Sequence, residues 1–289
     1  MRDHANAHVP TAADDDAAVA IRLAAAQLTG LSRAVGVARA TDGGDDGVPG
    51  DRPRRVVAAA PFTALVAPGG PAYLSYAIAG RPGEPVRDLG ESLGVLAEAF
   101  APHPVQLDLI EQACPGAVEL LVAAGAELAH RAPVMTVDTA TVAEPELPAG
   151  VEVIVARTAA DRAAAVSVVS VAFDTQIDEP VDDAPEPADG GTVVAFVDGE
   201  PAAAATWLAV VDGVSEIVAV ATAERFRRRG LGTAVTAAAV RAAADRAGVT
   251  LAWLTPGGDE ADRVYQGVGF RAVATAAHLV YRADLSAAA

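Results

Sequence analysis

Two Asp-Gly dipeptides, Asp198-Gly199 and Asp212-Gly213, cut the stretch from Thr192 to Val220 into three short apolar runs. Asp-Gly suits the tightest hairpin turns because glycine accepts the positive φ that such turns require. The runs Thr192–Val197, Ala203–Val211 and Val214–Val220 are therefore expected to form a meander of consecutive antiparallel strands. From Arg229 the spacing turns helical through Arg246, and Gly248 ends that helix. Before the meander, Val151–Ala156 reads as a strand and Asp161–Phe173 as a helix; after it come a strand at Val249–Thr255, a short helix at Asp259–Val264 and a strand at Arg271–Tyr281. The order β, α, β-β-β, α, β, α, β predicts an α+β fold, a mixed but mostly antiparallel sheet flanked by helices.

The chain is 289 residues long, about two domains at ~150 residues each. The first half is less clearly punctuated. Ala17–Ala40 is rich in helix formers, and an acidic Gly- and Pro-containing loop follows at 41–53. A strand at Tyr73–Ala79, a helix over Val86–Phe100, a strand at Val105–Ile110, a helix opening near Pro115 and closing at Gly125, and a strand at Glu127–Val137 complete it. Thr141–Gly150, rich in Pro and acid with no apolar period, reads as a linker. The expected domains are residues 1–140 and 151–289, with 141–150 between them.

Composition narrows the possible partners. With 21 basic and 38 acidic residues the net charge is −17; such a surface repels phosphate backbones and anionic lipid heads, so neither nucleic acid nor membrane is expected as a partner. Cys114 is the only cysteine, which leaves no disulfide and no thiolate cage. The five histidines show no metal-binding spacing, so no metal is expected. Apolar stretches such as Val56–Ala60 and Val168–Phe173 are far shorter than the ~20 residues of a membrane span. MRDHANAHVP at the N-terminus has no signal-peptide core, and the expected compartment is the cytoplasm.

The sharpest chemical signal is Arg227-Arg228-Arg229-Gly230-Leu231-Gly232-Thr233, placed between a strand and a helix. The first amides of a helix have no intrahelical partner and lie at the positive end of its dipole, so they can hold a diphosphate where glycines let it approach the backbone. Taken alone, the string also fits an ordinary basic helix start.

With Tyr265-Gln266-Gly267-Val268-Gly269-Phe270 after it and the meander before it, residues 151–285 resemble the GNAT superfamily of acyl-CoA N-acyltransferases. In that family the acetyl-CoA loop reads R/Q-x-x-G-x-G/A and the last helix runs into Y-x-x-x-G-F. The resemblance implies acetyl-CoA as cosubstrate. Its pantetheine arm would pair with the backbone of Val220, Ala221 and Thr222, and its diphosphate would sit on the amides of Arg228, Arg229, Gly230, Leu231, Gly232 and Thr233, with Arg227 bracing the loop or a phosphate. The family often carries Asn where this chain has Gly258, which puts that one contact in doubt.

Amine acetylation needs a base, because an alkylamine with a pKa near ~10 arrives protonated at neutral pH. Glu216, sixteen residues before Gly232, matches the strand glutamate used as base in the histone-acetylating branch; its plain alternative is an outward-facing strand carboxylate. A thiolate leaving group with a pKa near ~8.5 can take a proton from a phenol. Tyr265 occupies the family's position for that acid, and its plain alternative is a core aromatic. The expected reaction is acetyl transfer from acetyl-CoA to a small-molecule or peptide amine by direct attack in a ternary complex. The competing class is an acyl-CoA-binding sensor or interaction protein without turnover.

A fainter echo, Arg87-Asp88-Leu89-Gly90-Glu91-Ser92 with Gly125 beyond it, suggests a tandem arrangement with a degenerate GNAT-like first half that shapes the acceptor cleft; its plain alternative is a chance helix-strand similarity. Asp88 and Glu91 would stand against a diphosphate there. Tandem members include the mycothiol synthases of GC-rich bacteria, a minor branch that duplication alone suggests. Cys114 lies outside the second-half constellation and reads as a small buried hydrophobe. Asp174, Asp178, Glu179, Asp182 and Asp183 form an acidic connection that either attracts a cationic amine or is a solvated loop.

Overall fold

The computed structural model describes residues 12–41, 54–68, 74–174 and 189–283. Most of the acidic loop at 41–53, and Asp178, Glu179, Asp182 and Asp183, lie outside the described residues.

In chain order the elements are α1 (Ala12–Thr41), β1 (Arg55–Ala59), β2 (Phe62–Val66), β3 (Tyr76–Ala79), α2 (Ser92–Phe100), β4 (Val105–Ile110), α3 (Ala117–Ala123), β5 (Glu127–Asp138), β6 (Val151–Val155) and α4 (Ala159–Ala172). The remainder are β7 (Gly191–Val197), β8 (Glu200–Trp207), β9 (Val214–Thr222), α5 (Leu231–Ala247), β10 (Leu251–Leu254), α6 (Asp259–Val268) and β11 (Arg271–Tyr281). The chain forms two compact units, one of residues up to Arg131 together with Val273 onward, the other Ala132–Ala272.

In the first unit the strand order is β1-β2-β3-β4-β11, parallel between β3 and β4 and antiparallel elsewhere. Ala20, Leu23, Ala24 and Leu31 of α1 recur at helical spacing and are buried, with Leu31 packed on Leu65 and Ile78. Leu96, Phe100, Val118 and Leu121 from α2 and α3 form a separate core with Leu107, Leu109, Ala277 and Leu279. The hairpin of β1 and β2, joined at Ala60-Pro61, was not expected; VVAAAPFTALV neither alternates in polarity nor carries a glycine to mark its turn. The helix expected over Val86–Phe100 begins only at Ser92. Residues before it are held in loop form by backbone bonds from Gly83 to Ala113 and from Val86 to Pro115, and Gly90 turns at φ 49°.

The second unit has the order β6-β7-β8-β9-β10-β5, antiparallel except between β9 and β10. Both Asp-Gly turns have positive φ at each residue: 50° and 83° at Asp198-Gly199, 50° and 73° at Asp212-Gly213. Thr158 and Asp161 form a reciprocal capping box that starts α4, and these backbone bonds hold the Asp161 carboxyl below the ordinary range. Strand β8 is buried on both faces: Ala203 and Ala205 join the core that includes α5, and Ala204 the core that includes α4. Alanine contributes little area per residue but lets both helices sit close to the sheet. Trp207 is the large exception, and a β-carbon at Gly191 would overlap its indole.

The final strands depart from the expected domains. Arg271–Tyr281 was read as completing the second domain, but residues Ala276–Tyr281 pair with Ile110–Val105 of β4 in the first unit. In turn Met135–Asp138 of β5, expected within residues 1–140, pairs with Leu254–Leu251 of β10 in the second. Hydrogen bonding to these non-local partners, not sequence order, decides to which unit each strand belongs.

Candidate active site

Strands β9 and β10 run parallel but pair only over Val214–Glu216 and Leu251–Trp253. Beyond the rung of Glu216 and Trp253 the strands part, so Ile217–Thr222 has β8 on one side and, among the described residues, an edge with no paired strand on the other. Within that span Ala219 adopts φ 52°, and the register with β8 shifts between Ala204 and Thr206. A non-glycine residue with positive φ inside a strand is a bulge that re-aims the backbone. Val220, Ala221 and Thr222, expected to present backbone to a ligand, follow it directly.

Past Thr222 the chain makes one turn, Glu224–Phe226, and enters α5 through two left-handed residues, Arg228 at φ 61° and Gly230 at φ 78°. Gly230 is the N-cap; no side chain caps the helix, and its first turn holds no acid. The first helical bond is Ala234 N–H to Gly230 C=O, so the amides of Leu231, Gly232 and Thr233 point outward unclaimed by the helix. Arg227 Nε donates to the Thr222 carbonyl at 3.3 Å and closes the base of the loop.

The opposite wall comes from the start of α6. Gly257 and Gly258 have open space where a side chain would stand, and Gly258 adopts φ 155°. Together the two walls enclose a cavity of about 530 Å³. Val220, Ala221, Thr222, Arg227, Arg228, Gly230, Leu231, Gly232, Thr233 and Tyr265 all line it, as the sequence placed them. Arg229 and Glu216 are not among the lining residues: Arg229 lies over the Phe226 ring, and Glu216 stands on the last rung before the strands part. The sequence reading missed Ala172, Phe173, Asp259, Glu260, Ala261 and Val264, which also line the cavity. The first two arrive by packing of α4 on the sheet, which has no local signature. Gly258, singled out by position, was the available signal for the others.

Tyr265 is 8% exposed and tilted against Phe270 with ring centroids 6.1 Å apart. It is at once a core aromatic and a cavity residue, and burial raises its phenol above the ordinary value, so the hydroxyl keeps its proton at neutral pH. Cys114 is buried in the first unit, donating to the Ile110 carbonyl at 3.3 Å; burial, with Glu111 and Glu119 nearby, pushes its thiol up to about 12. A thiol held neutral in this way is a poor nucleophile. Among the described residues no group of three His, Cys, Asp or Glu is placed to hold a metal ion, and no helix is long and apolar enough to cross a membrane.

A free strand edge leading to an uncapped helix N-terminus, with two arginines beside it, fits a ligand made of an extended amide-bearing arm and a diphosphate, the chemistry of coenzyme A. A family described as FR47-like protein matches residues 193–279, a span holding the meander, the loop and α6. The chain is similar to the solved structure of a GCN5-related N-acetyltransferase from Kribbella flavida, with 36% identity, 93% of this chain and 98% of that one covered, and a TM-score of 0.77. Two further structures are alike in fold alone. One is a GCN5-related N-acetyltransferase from Sphaerobacter thermophilus, with 18% identity, 94% of each chain covered and a TM-score of 0.54. The other is a tandem GNAT protein from the clavulanic acid biosynthesis pathway, with 14% identity, 76% of this chain and 77% of that one covered and a TM-score of 0.53. No curated protein matches the sequence.

Proposed function

The chain belongs to the GCN5-related N-acetyltransferase family, and from that premise we propose that it transfers the acetyl group of acetyl-CoA to a small-molecule or peptide amine by direct attack in a ternary complex. The observation that carries this reading is the continuity of the free β9 edge with the uncapped start of α5. Bound there, acetyl-CoA supplies an activated thioester. The backbone of Val220, Ala221 and Thr222 binds the arm. The amides from Arg228 to Thr233 hold the diphosphate, and Arg227 and Arg228 balance its charge.

Glu216 relays the proton of the incoming ammonium away from the nitrogen, a base placed where the strands part. A backbone N–H near Val220 donates to the acyl oxygen. Tyr265 Oη gives its proton to the departing sulfur, and burial suits it to that role by keeping it protonated. A chain with one cysteine and no disulfide fits the cytoplasm.

A second reading, an acyl-CoA-binding sensor without turnover, draws support from Glu216 lying outside the cavity-lining residues. Incubating the protein with acetyl-CoA and a panel of amines while following free thiol separates the two. The enzyme reading expects one amine class to release coenzyme A in step with its acetylation. Tight acetyl-CoA binding with no amine ever acetylated gives the sensor reading the lead.

A further inference from the structure

Two helix starts of opposite character border the cavity. That of α5 has a glycine N-cap and no acid in its first turn, and Arg227 and Arg228 stand beside it. That of α6 carries Asp259, Glu260 and Asp262 in its first turn. Asp259 and Glu260 line the cavity, whereas Asp262 does not and accepts a hydrogen bond from Gln266 at 3.1 Å. Among the described residues no cation pairs with Asp259 or Glu260. Acids in a first turn ordinarily serve the helix they open, whose dipole they offset. Two of these three also put negative charge on the wall of a cavity fitted to an anion. Between walls that include Val220 and Val264 that charge is screened less than in bulk water.

We propose that Asp259 and Glu260 are affinity-determining residues that oppose the diphosphate of coenzyme A and so speed release of the product. The inference rests on the acyl-CoA reading above. Amides of α5 and two arginines attract the diphosphate from one side, and coenzyme A must leave before the next acetyl-CoA enters, a step that limits turnover in many enzymes. Carboxylates across the cavity offset part of that attraction. They act on substrate and product alike, because both carry the same diphosphate, and they leave the thioester chemistry to other residues.

The test is binding of coenzyme A to the full chain, with affinity from calorimetry and dissociation rate from surface plasmon resonance. Three proteins are compared: wild type, Asp259→Asn combined with Glu260→Gln, and Asp262→Asn. The double variant is expected to bind coenzyme A about fivefold more tightly and to release it correspondingly more slowly, a gain that shrinks at high salt as the charges are screened. Asp262→Asn removes an acid from the same helical turn without changing the charge of the cavity wall, so it should bind as the wild type does. A loosened α6 would lower affinity, the opposite sign to the expected effect. An affinity in the double variant equal to or below that of Asp262→Asn, or a gain undiminished at high salt, overturns the inference while leaving the acyl-CoA reading intact. No coenzyme A binding by any of the three overturns both.

Discussion

Tyr265 and Glu216 would act at opposite ends of the reaction, so their variants should fail differently. Tyr265→Phe keeps the ring against Phe270 and removes only the donor. It is expected to lower kcat by about 10² with little change in acetyl-CoA affinity, the usual range for a lost general acid. Glu216→Gln should slow turnover most at neutral and acidic pH and recover toward alkaline pH, where free amine no longer needs a base. Steady-state rates across pH check both, and full turnover by both variants at every pH would remove the assigned roles. The place of Tyr265 in the cavity was legible because it stands four residues before Gly269, the left-handed glycine that ends α6; Glu216, placed by its distance from Gly232, lies outside the lining residues. The places of Phe173 and Asp259 were not legible, since they depend on how α4 and α6 pack.

At the scale of elements, the β4 and β11 pair carries a titratable contact. His278 Nδ1 lies 2.5 Å from Asp108 Oδ1 on directly opposed residues, with the His130 ring stacked at 5.2 Å. The Asp108 hydrogen bond raises the His278 pKa above 6.5, outweighing its partial burial. A raised histidine pKa stabilises the fold fully below about pH 6.5, and that contribution is lost as pH rises through the folded-state value. Denaturant unfolding over this range should show the step in wild type and lack it in Asp108→Asn; parallel curves would contradict it. Elements with chemical punctuation, such as the Asp-Gly hairpins and α5 ending at Gly248, were legible in the sequence. The β1 and β2 hairpin was not, for want of such marks, and neither were the partners of β5 and β11, because apolar periodicity reveals a strand but not which distant strand it will pair with.

For the whole molecule, the order β1-β2-β3-β4-β11 repeats β7-β8-β9-β10-β5 with the parallel pair in the same place, and β6 is the second unit's addition. The correspondence is one of strand order and direction. The two loops differ in charge. Glu91 is the N-cap of α2 with Asp88 just before it, whereas the first turn of α5 holds no acid. A unit charge about 4 Å from a like charge costs ~1 kcal/mol in water and several at lower effective dielectric, so the first unit is expected to bind no coenzyme A. In the second, a β-carbon at Gly232 would lie 3.5 Å from Val264 Cγ1 and 3.7 Å from Thr222 Oγ1, ordinary contact distances that the fold tolerates. The further methyls of Gly232→Val would compete with the diphosphate for the cavity. Isothermal titration of the full chain with acetyl-CoA tests the central claim directly. The account predicts one acetyl-CoA per wild-type chain and an affinity lower by about tenfold or more in Gly232→Val; unchanged affinity in the variant, or two acetyl-CoA per chain at saturation, would contradict it.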